Sequence, residues 1–487
     1  MPADHQTRAD MENALAGSRT TMAYEPDDGY YDEAFAPGGE PRPHYAELID
    51  SFAGADLEGL CAQIAADLDE LGMRFRANGS DQRFPIDPVP RVLPADEWEL
   101  LERGLAQRAR ALNAFLVDAY GDRSIVAAGH LPARVIDGAE LFERDMCDVD
   151  RGAAVHAAVA GFDLVRHKTG EFEVLEDNLR TPSGTAYCSA AREVLDELLP
   201  FEPPAERARL CPVDLLGEAL RDAAPDGVDG EPCVVLLSDG AENSAWWEHV
   251  WLGRALGIPV ATPRDIEQRR GEIWARDLHG ESYRVDVVYR RTDIDTLRDE
   301  AGAPTWVAEL LLEPIRRGTV ACVNAFGNGL ADDKLVHAYV EEMIRFYLGE
   351  EPLVPSVPTF DPGEPDVLDG LLDRIDELVV KPRTGSGGEG VVVCPHASRE
   401  DIEAARRAVR KRPEAFVLQE TVAISTHPTA IGSGLEPRHV DLRPFAYSTA
   451  GGSKVLAGGL TRVALDRGAL VVNSSQNGGG KDTWMLT

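Results

Sequence analysis

The sequence predicts a mixed fold, α+β with an α/β stretch set inside it, and three observations carry that expectation. Between Tyr45 and Tyr120 apolar residues recur at helical spacing. From about Asp214 to Asn324, short β-branched runs alternate with helical patterns, as they do in a parallel sheet. From Leu378 on, the chain is strand-rich and carries a glycine loop, TGSGGEG.

Composition narrows the partners. At 487 residues the chain is long enough for two or three domains. A formal net charge of -35 argues against nucleic acid or an anionic membrane as the main partner. The seven cysteines include no Cys-x-x-Cys pair, which fits reduced thiols in a cytosol. The first residues, MPADHQTRADMEN, lack the basic and apolar regions of a signal peptide. No apolar run approaches the ~20 residues that a membrane span needs. A soluble, cytoplasmic protein is expected. Lysine occurs only at positions 168, 334, 381, 411, 454 and 481, among many arginines. A lysine that survives such replacement marks a place where a compact ammonium is useful.

Residues 1–40 are polar, acidic and rich in Gly and Pro, and are expected to form a mobile arm that docks, if at all, near Tyr45. In the next stretch, 41–205, Leu48, Phe52, Leu57, Leu60, Ile64 and Leu68 predict one or two amphipathic helices. Trp98 to Tyr120 predicts another, with Leu100, Leu101, Leu105, Leu112, Phe115 and Leu116 on its apolar side. In AGFDLVRHKTGEFEVLEDNLRTPSG, Phe162–Arg166 and Phe172–Leu175 read as paired strands. Alternation puts Phe172, Val174, Glu176 and Asn178 on one face, and a loop over Lys168–Glu171 sets Asp163 opposite Glu176. Two carboxylates and an amide oxygen gathered there are costly without a cation. Oxygen ligands with room for water and phosphate suit Mg²⁺. Arg180 and Ser183-Gly184 follow, placed to meet an anionic substrate.

Residues 206–330 carry the α/β pattern: the strand CVVLLSDG, the helix SAWWEHVWLGRALG, the short strand IPVAT and the strand VDVVYRRTD. Ligands gather beyond the carboxyl ends of such strands. Arg291 is a candidate there for a substrate carboxylate, with a surface ion pair as the equal alternative. In residues 331–487, NGLADDK opens a helix with Lys334 in its first turns, unfavourable against the dipole and suggestive of a phosphate partner. In LVVKPRTGSGGEGVVV the loop Arg383–Gly390 is longer than a hairpin turn requires. Gly385, Gly387, Gly388 and Gly390 leave its backbone bare, Ser386 adds a hydroxyl and Lys381 a point charge, the parts of a phosphate cradle. No helix follows, so this is not a Walker A loop. Helix Arg399–Lys411 leads to the strand AFVLQE, whose Gln419 and Glu420 can pair with a base edge or ribose hydroxyls. HVDLRPFAYS, KVLAGGLTRVAL and ALVVN predict further strands. Arg443 and Arg462 lie on or beside them, and inward arginines meet an anion.

Taken together these segments resemble the circularly permuted ATP-grasp family, type 2, from about Tyr45 to Trp484. In an ATP-grasp domain the acid and its Glu-x-Asn come last. Here FDLV and LEDN come first, and Lys334, LVVKP, TGSGGEG, LQE, DLRP and LTRVA follow. The resemblance implies a permuted ATP-grasp fold with a helical amino-terminal region, a pre-ATP-grasp α/β subdomain over 206–330 and a nucleotide-binding region over 331–487. It implies ATP and Mg²⁺ as cofactors and ligation of a carboxylate to an amine, of a peptide-like kind, through an acylphosphate. Lys334, Lys381, Ser386, Gly387, Gly388, Gly390, Gln419 and Glu420 would serve ATP. Asp163, Glu176 and Asn178 would serve the metal, and Arg180, Arg291, Arg443 and Arg462 the reacting groups. A homo-oligomer is compatible with this reading. Glutathionylspermidine synthase is a similar permuted enzyme, but it has an Arg two residues before its Asp, where this chain has Gly161. Two other readings stay open, a phosphotransferase that stops at the phosphorylated product and an ATP-binding scaffold with little turnover.

Overall fold

The computed structural model describes residues 24–487 apart from 78, 148, 150–154, 277, 278, 386–389 and 470–477. Helix α1 (Leu57–Glu70) starts at Asp56, whose carboxylate accepts from the Gly59 amide, and it buries Leu57, Ile64 and Leu68. The buried strand β1 (Ile86–Leu93) leads into the 25-residue helix α2 (Ala95–Ala119). Leu101, Leu105, Leu112, Phe115 and Leu116 of α2 are buried, while Leu100, expected among them, is 43% exposed. One residue turns a side chain about 100° round the axis, enough to leave the buried stripe. Strands β2 (Val159–Arg166) and β3 (Phe172–Asn178) form an antiparallel hairpin, and helix α3 (Thr185–Leu198) follows it.

The α/β stretch is a four-stranded parallel sheet. Its strands are β4 (Val234–Ser238), β5 (Val260–Ala261), β6 (Val287–Arg291) and β7 (Ala321–Val323), in the order β7-β6-β4-β5. Helix α4 (Trp246–Leu256) makes the crossover from β4 to β5.

Beyond it come the short helix α5 (Lys334–His337) and a small antiparallel sheet. That sheet holds β8 (Thr359–Phe360), β9 (Leu378–Pro382), β10 (Val392–Val393) and, after helix α6 (Arg399–Lys411), β11 (Phe416–Glu420). Its order is β8-β11-β9-β10. One face is closed by α6, with Ala405 and Val409 against Leu378, Val380 and Leu418. The last strands are β12 (Thr426–Ile431), β13 (Gly434–Thr449), β14 (Gly452–Ala464) and β15 (Gly478–Met485). The strand expected at ALVVN lies, from Leu470 on, outside the described residues. Together with the early strands these make the main sheet, β1-β15-β14-β13-β2-β3, with β12 paired to the first half of β13. Strands from both ends of the sequence thus lie side by side: β2 on β13 and β1 on β15. Among the described residues no helix is long and apolar enough to cross a membrane.

Residues 24–40 belong to the stretch expected to be a mobile arm, and Tyr24 and Asp32–Phe35 within them are buried. Tyr24, Ala34 and Phe35 join a core cluster with Tyr45, and the Glu33 amide donates to Thr426 O at 2.9 Å. The Glu33 carboxylate lies in the interior between Arg91 of β1 and Arg166 of β2, 2.8 Å from Arg91 Nε and 3.3 Å from Arg166 Nε. Composition marks such a segment as solvated because the partners of its charges stand far along the chain. Burial opposes ionisation of Glu33, but the two guanidiniums outweigh it and bring its pKa from 4.5 to about 2. A depressed folded-state value means stabilisation that is complete above about pH 4.5 and is lost as pH falls through about 2. Glu33→Ala leaves two buried guanidiniums without their acid and should cost about 3–5 kcal/mol in urea unfolding at neutral pH. The gap to the wild type should close as the pH is lowered from 4.5 toward 2.

Candidate functional site

The site is built on the β2–β3 hairpin. Asp163 pairs with Glu176, and Gly161 with Asn178. The loop runs over His167–Glu171, with Arg166 and Phe172 as the last pair, and a bulge at Leu175 restores the offset that brings Asp163 opposite Glu176. The bulge also changes faces. Phe172 and Val174 pack into the core beside α2, whereas Leu175 packs with Val165 on the other side. Glu176 and Asn178 therefore do not share a face with Phe172 and Val174, as strict alternation predicted. Asp177 takes the core side in their place.

Across the sheet, Arg443 of β13 donates from Nε to Asp163 Oδ1 at 2.6 Å and from Nη2 to Oδ2 at 2.8 Å. Arg462 of β14 reaches Oδ2 at 3.0 Å and also pairs with Asp441 at 2.5 Å. Burial disfavours the Asp163 charge, yet Arg443 and Arg462 outweigh it and hold the carboxyl well below the usual carboxylate range. Glu176 Oε1 lies 3.0 Å from Lys334 Nζ, which donates as well to Gly385 O at 2.8 Å. The Lys381 ammonium, on β9, has neither an ion pair nor a hydrogen bond among the described residues. Burial depresses its ammonium pKa and Lys334 adds to this, while Glu176 and Asp163 pull the other way. The Asn178 amide is also unpartnered, with Nδ2 buried. Among the described residues, Lys334, Lys381, Arg443 and Arg462 thus stand against Asp163, Glu176 and Asp441, four cations to three carboxylates.

For Mg²⁺ the donors fit in part. Glu176 and Asn178 suit an ion that takes its remaining ligands from phosphate and water. Asp163 does not fit while guanidiniums hold both its oxygens. Among the described residues no group of three or more His, Cys, Asp or Glu is arranged to hold a metal.

The remaining predicted residues divide. Ser386, Gly387 and Gly388 lie outside the described residues. Gly390 has φ +71°, and a Cβ there would come within 2.9 Å of Pro382 Cγ, so the strand end admits only glycine. Gln419 faces the main sheet, donating from Nε2 to Thr359 Oγ1 at 2.8 Å and to Leu175 O at 3.3 Å. Glu420, the next residue, points the opposite way and accepts from Arg374. Arg180 pairs with Asp332 at 2.9 Å and Asp295 at 3.2 Å at the edge of the cluster. Arg291 is not placed to take a substrate carboxylate. It is buried, donates to Pro182 O at 2.8 Å and Ser183 Oγ at 2.5 Å, and lies 3.4 Å from Glu248. Glu248 accepts in turn from the Gly184 and Ala186 amides, so the pair ties the start of α3 to the parallel sheet.

Sequence reasoning missed Asp177, Arg108 and His337. Arg108 of α2 donates to Asp177 Oδ1 at 2.5 Å and Oδ2 at 2.7 Å, and His337 Nδ1 lies 2.7 Å from Oδ2. A signal was present: Arg108 occupies the apolar stripe Leu101, Leu105, Leu112, where an arginine needs a buried acid.

A family model described as circularly permuted ATP-grasp type 2 matches residues 90–464. The chain belongs to that family. A permuted ATP-grasp chain is placed thereby among the ligases that form C–N bonds. An uncharacterised protein of Mycobacterium leprae is 40% identical over 99% of this chain and 86% of its own length. One of Synechocystis is 41% identical over 96% of this chain and 98% of its own. A Frankia alni protein, provisionally named a glutamate–cysteine ligase, is 42% identical over 93% of this chain but only 54% of its own length. Among solved structures, a glutathione synthetase-like effector of Globodera pallida in its apo form shares the fold. Its TM-score is 0.53 at 10% identity, over 89% of this chain and 98% of that one.

In this ATP-grasp chain Arg291 serves the scaffold. Arg291→Met should cost about 3–5 kcal/mol of stability by leaving Glu248 buried without its cation. Nucleotide affinity of the folded variant, measured by calorimetry, should stay within about twofold of the wild type, because Arg291 bonds Pro182, Ser183 and Glu248 and none of the charged groups around Asp163.

Proposed function

We propose that the protein is an ATP- and Mg²⁺-dependent ligase that joins a carboxylate to an amine, of a peptide-like kind, through an acylphosphate. The observation that carries this reading is Lys381: its ammonium has no ion pair among the described residues, and it stands in the field of Lys334, Glu176 and Asp163, the last held by Arg443 and Arg462. A triphosphate supplies the missing charge. The name of the Frankia relative supports amide chemistry. Its substrates are not carried over, since the match spans 54% of that protein. The stretches 41–205, 206–330 and 331–487 would contribute the metal-binding hairpin, the α/β subdomain and the nucleotide-binding region.

Lys381 and Lys334 hold the phosphates. Arg443 and Arg462, kept in line by Asp163, face the transferring group. A carboxylate oxygen of the first substrate attacks the γ-phosphorus, the bond to the β-phosphate oxygen breaks, and ADP leaves. The amine nitrogen of the second substrate then attacks the acyl carbon, gives up a proton and displaces phosphate, leaving an amide. Glu176 and Asn178 would hold magnesium, which would supply neutralisation of phosphate charge. Placement and preorganised charge account for most of the acceleration in such chemistry, and no side-chain nucleophile is needed.

Lys381→Ala should weaken ATP binding at least tenfold in calorimetry, since a charge-assisted contact contributes about 1.5–3 kcal/mol. Unchanged affinity in a folded variant would remove the reading. Glu176→Gln keeps the shape of the side chain and loses the anion. It should retain part of the nucleotide affinity and lower ADP release in Mg²⁺ by about a hundredfold or more. The reaction type is tested by ADP release across carboxylate and amine pairs, with mass spectrometry of the product. ADP formed with a carboxylate alone, and no amide with any amine, would identify a phosphotransferase instead.

A further inference from the structure

The proposed reaction gives no task to Arg290, the residue before Arg291 on β6. Its side chain stands on the opposite face of that strand. Val287 and Tyr289 share a core with α3 and α4, whereas Val288 belongs to the core that holds Leu297 and Phe326. On this second face Arg290 is 1% exposed, with its guanidinium carbon 4.5 Å from the centre of the Phe326 ring. It has no ion pair among the described residues, and its Nε and Nη1 are buried without a hydrogen-bond partner. An arginine keeps its charge in such surroundings. The charge is therefore held at a cost that an arriving anion would remove.

The neighbouring acids do not supply that anion. Asp295 lies in the field of Arg290 but is paired with Arg180. Glu143 accepts from the Leu297 amide at 2.9 Å, and burial, with Asp295 and Asp145 adding to it, brings its carboxyl up to about 7. Arg91 and Arg108, buried to the same degree, are met by Glu33 and Asp177. Arg290 also stands behind the charged cluster. Arg180 lies in its field and pairs with Asp332, and Asp332 lies in the field of Glu176. The carboxylate that reacts has to lie at the γ-phosphate, beside Lys334 and Glu176. An anion at Arg290 is a different one.

We propose that Arg290 binds a second, non-reacting carboxylate of the acid substrate, and that this substrate is therefore a dicarboxylate. This rests on reading the protein as a carboxylate–amine ligase. A planar carboxylate pairs along the edge of a guanidinium, and the edge is what remains where Phe326 covers a face. A phosphate would bring a further negative charge toward Asp295 and Glu143, which a carboxylate does not. A carboxylate carried by the amine substrate is the same chemistry from another source, and the choice of acids below separates the two.

The test is thermal unfolding of the full chain, without nucleotide, in straight-chain dicarboxylates of three to six carbons and their 2-amino forms. Each is compared with its mono-carboxamide at equal ionic strength. At least one dicarboxylate should raise the wild-type midpoint by about 1 °C or more over its carboxamide. In Arg290→Met that difference should vanish, and in Arg290→Lys, which keeps the charge, part of it should remain. Without ligand, Arg290→Met should unfold at a higher temperature than the wild type, because it removes a buried charge that has no partner. A wild type that responds to no dicarboxylate above its carboxamide overturns the proposal, and so does a response that survives in Arg290→Met. A ligand-free Arg290→Met less stable than the wild type also overturns it, since the guanidinium would then have a partner within the protein. An Arg290-dependent shift with ω-amino monocarboxylates and with no dicarboxylate would give the carboxylate to the amine substrate and overturn the assignment to the acid. Calorimetry with ATP reads the ligase proposal separately. No ATP binding overturns that reading and this one with it, whereas ATP binding without a dicarboxylate shift overturns this one alone.

Discussion

The pairing of β2 with β13 is the constraint on which the site depends. It sets Leu164 beside Leu442 and Gly161 beside Phe445, and so brings Asp163 within reach of Arg443. A slip of one residue would turn Asp163 toward α2 and the site face would lose its acid. Apolar packing on the far side prevents the slip: Phe162, Leu164, Leu442 and Ala446 share a core with Leu105 and Leu112 of α2. The charges on one face are thus aligned by the hydrocarbon on the other. Because β2 comes early in the sequence and β13 late, neither part of the chain holds the site alone.

The buried ion pairs fall into two kinds. Glu248 with Arg291, and Glu33 with Arg91 and Arg166, tie elements together and lie in the interior. Pairs of this sort add little net stability against an apolar replacement, yet cost much when one partner is removed. Around Asp163 the balance is different. Its carboxylate orients Arg443 and Arg462, while the Lys381 ammonium and the Asn178 amide nitrogen have no partners among the described residues. Cationic groups already aimed before an anion arrives need no reorganisation when it does, which is how a site of this type favours charge transfer.

Much of this was legible in sequence, and the exceptions have physical causes. Helix α6 and strand β11 follow directly from periodicity and capping. The Asp163–Glu176 pairing came out through two offsetting differences, a longer loop and a bulge, neither of which leaves a local mark in FEVLEDN. Arg291 and Arg443 look alike in sequence, each an arginine within a strand. They separate only through partners brought in by tertiary structure, Glu248 for one and Asp163 for the other. Glu33 was hidden in the same way, by a partner on β1 and another on β2. Arg108 was the readable case, since a charge inside an apolar stripe states its need for a partner without naming it.

Gly161 shows why a reaction type carries further than a substrate. A Cβ at this position would stand 3.0 Å from Pro182 Cβ and 3.7 Å from Arg443 Cδ. An arginine here, as in the enzyme that the sequence resembles, would need space that Pro182 and the stem of Arg443 already fill. The guanidiniums beside Asp163 come from β13 and β14. Phosphate responds mainly to the charge. A substrate responds to the wall, and here the wall beside Gly161 is the Pro182–Ser183 segment, held down by Arg291. The scaffold arginine therefore holds the segment that lies against Gly161, and Gly161 leaves that segment and the stem of Arg443 the room they occupy.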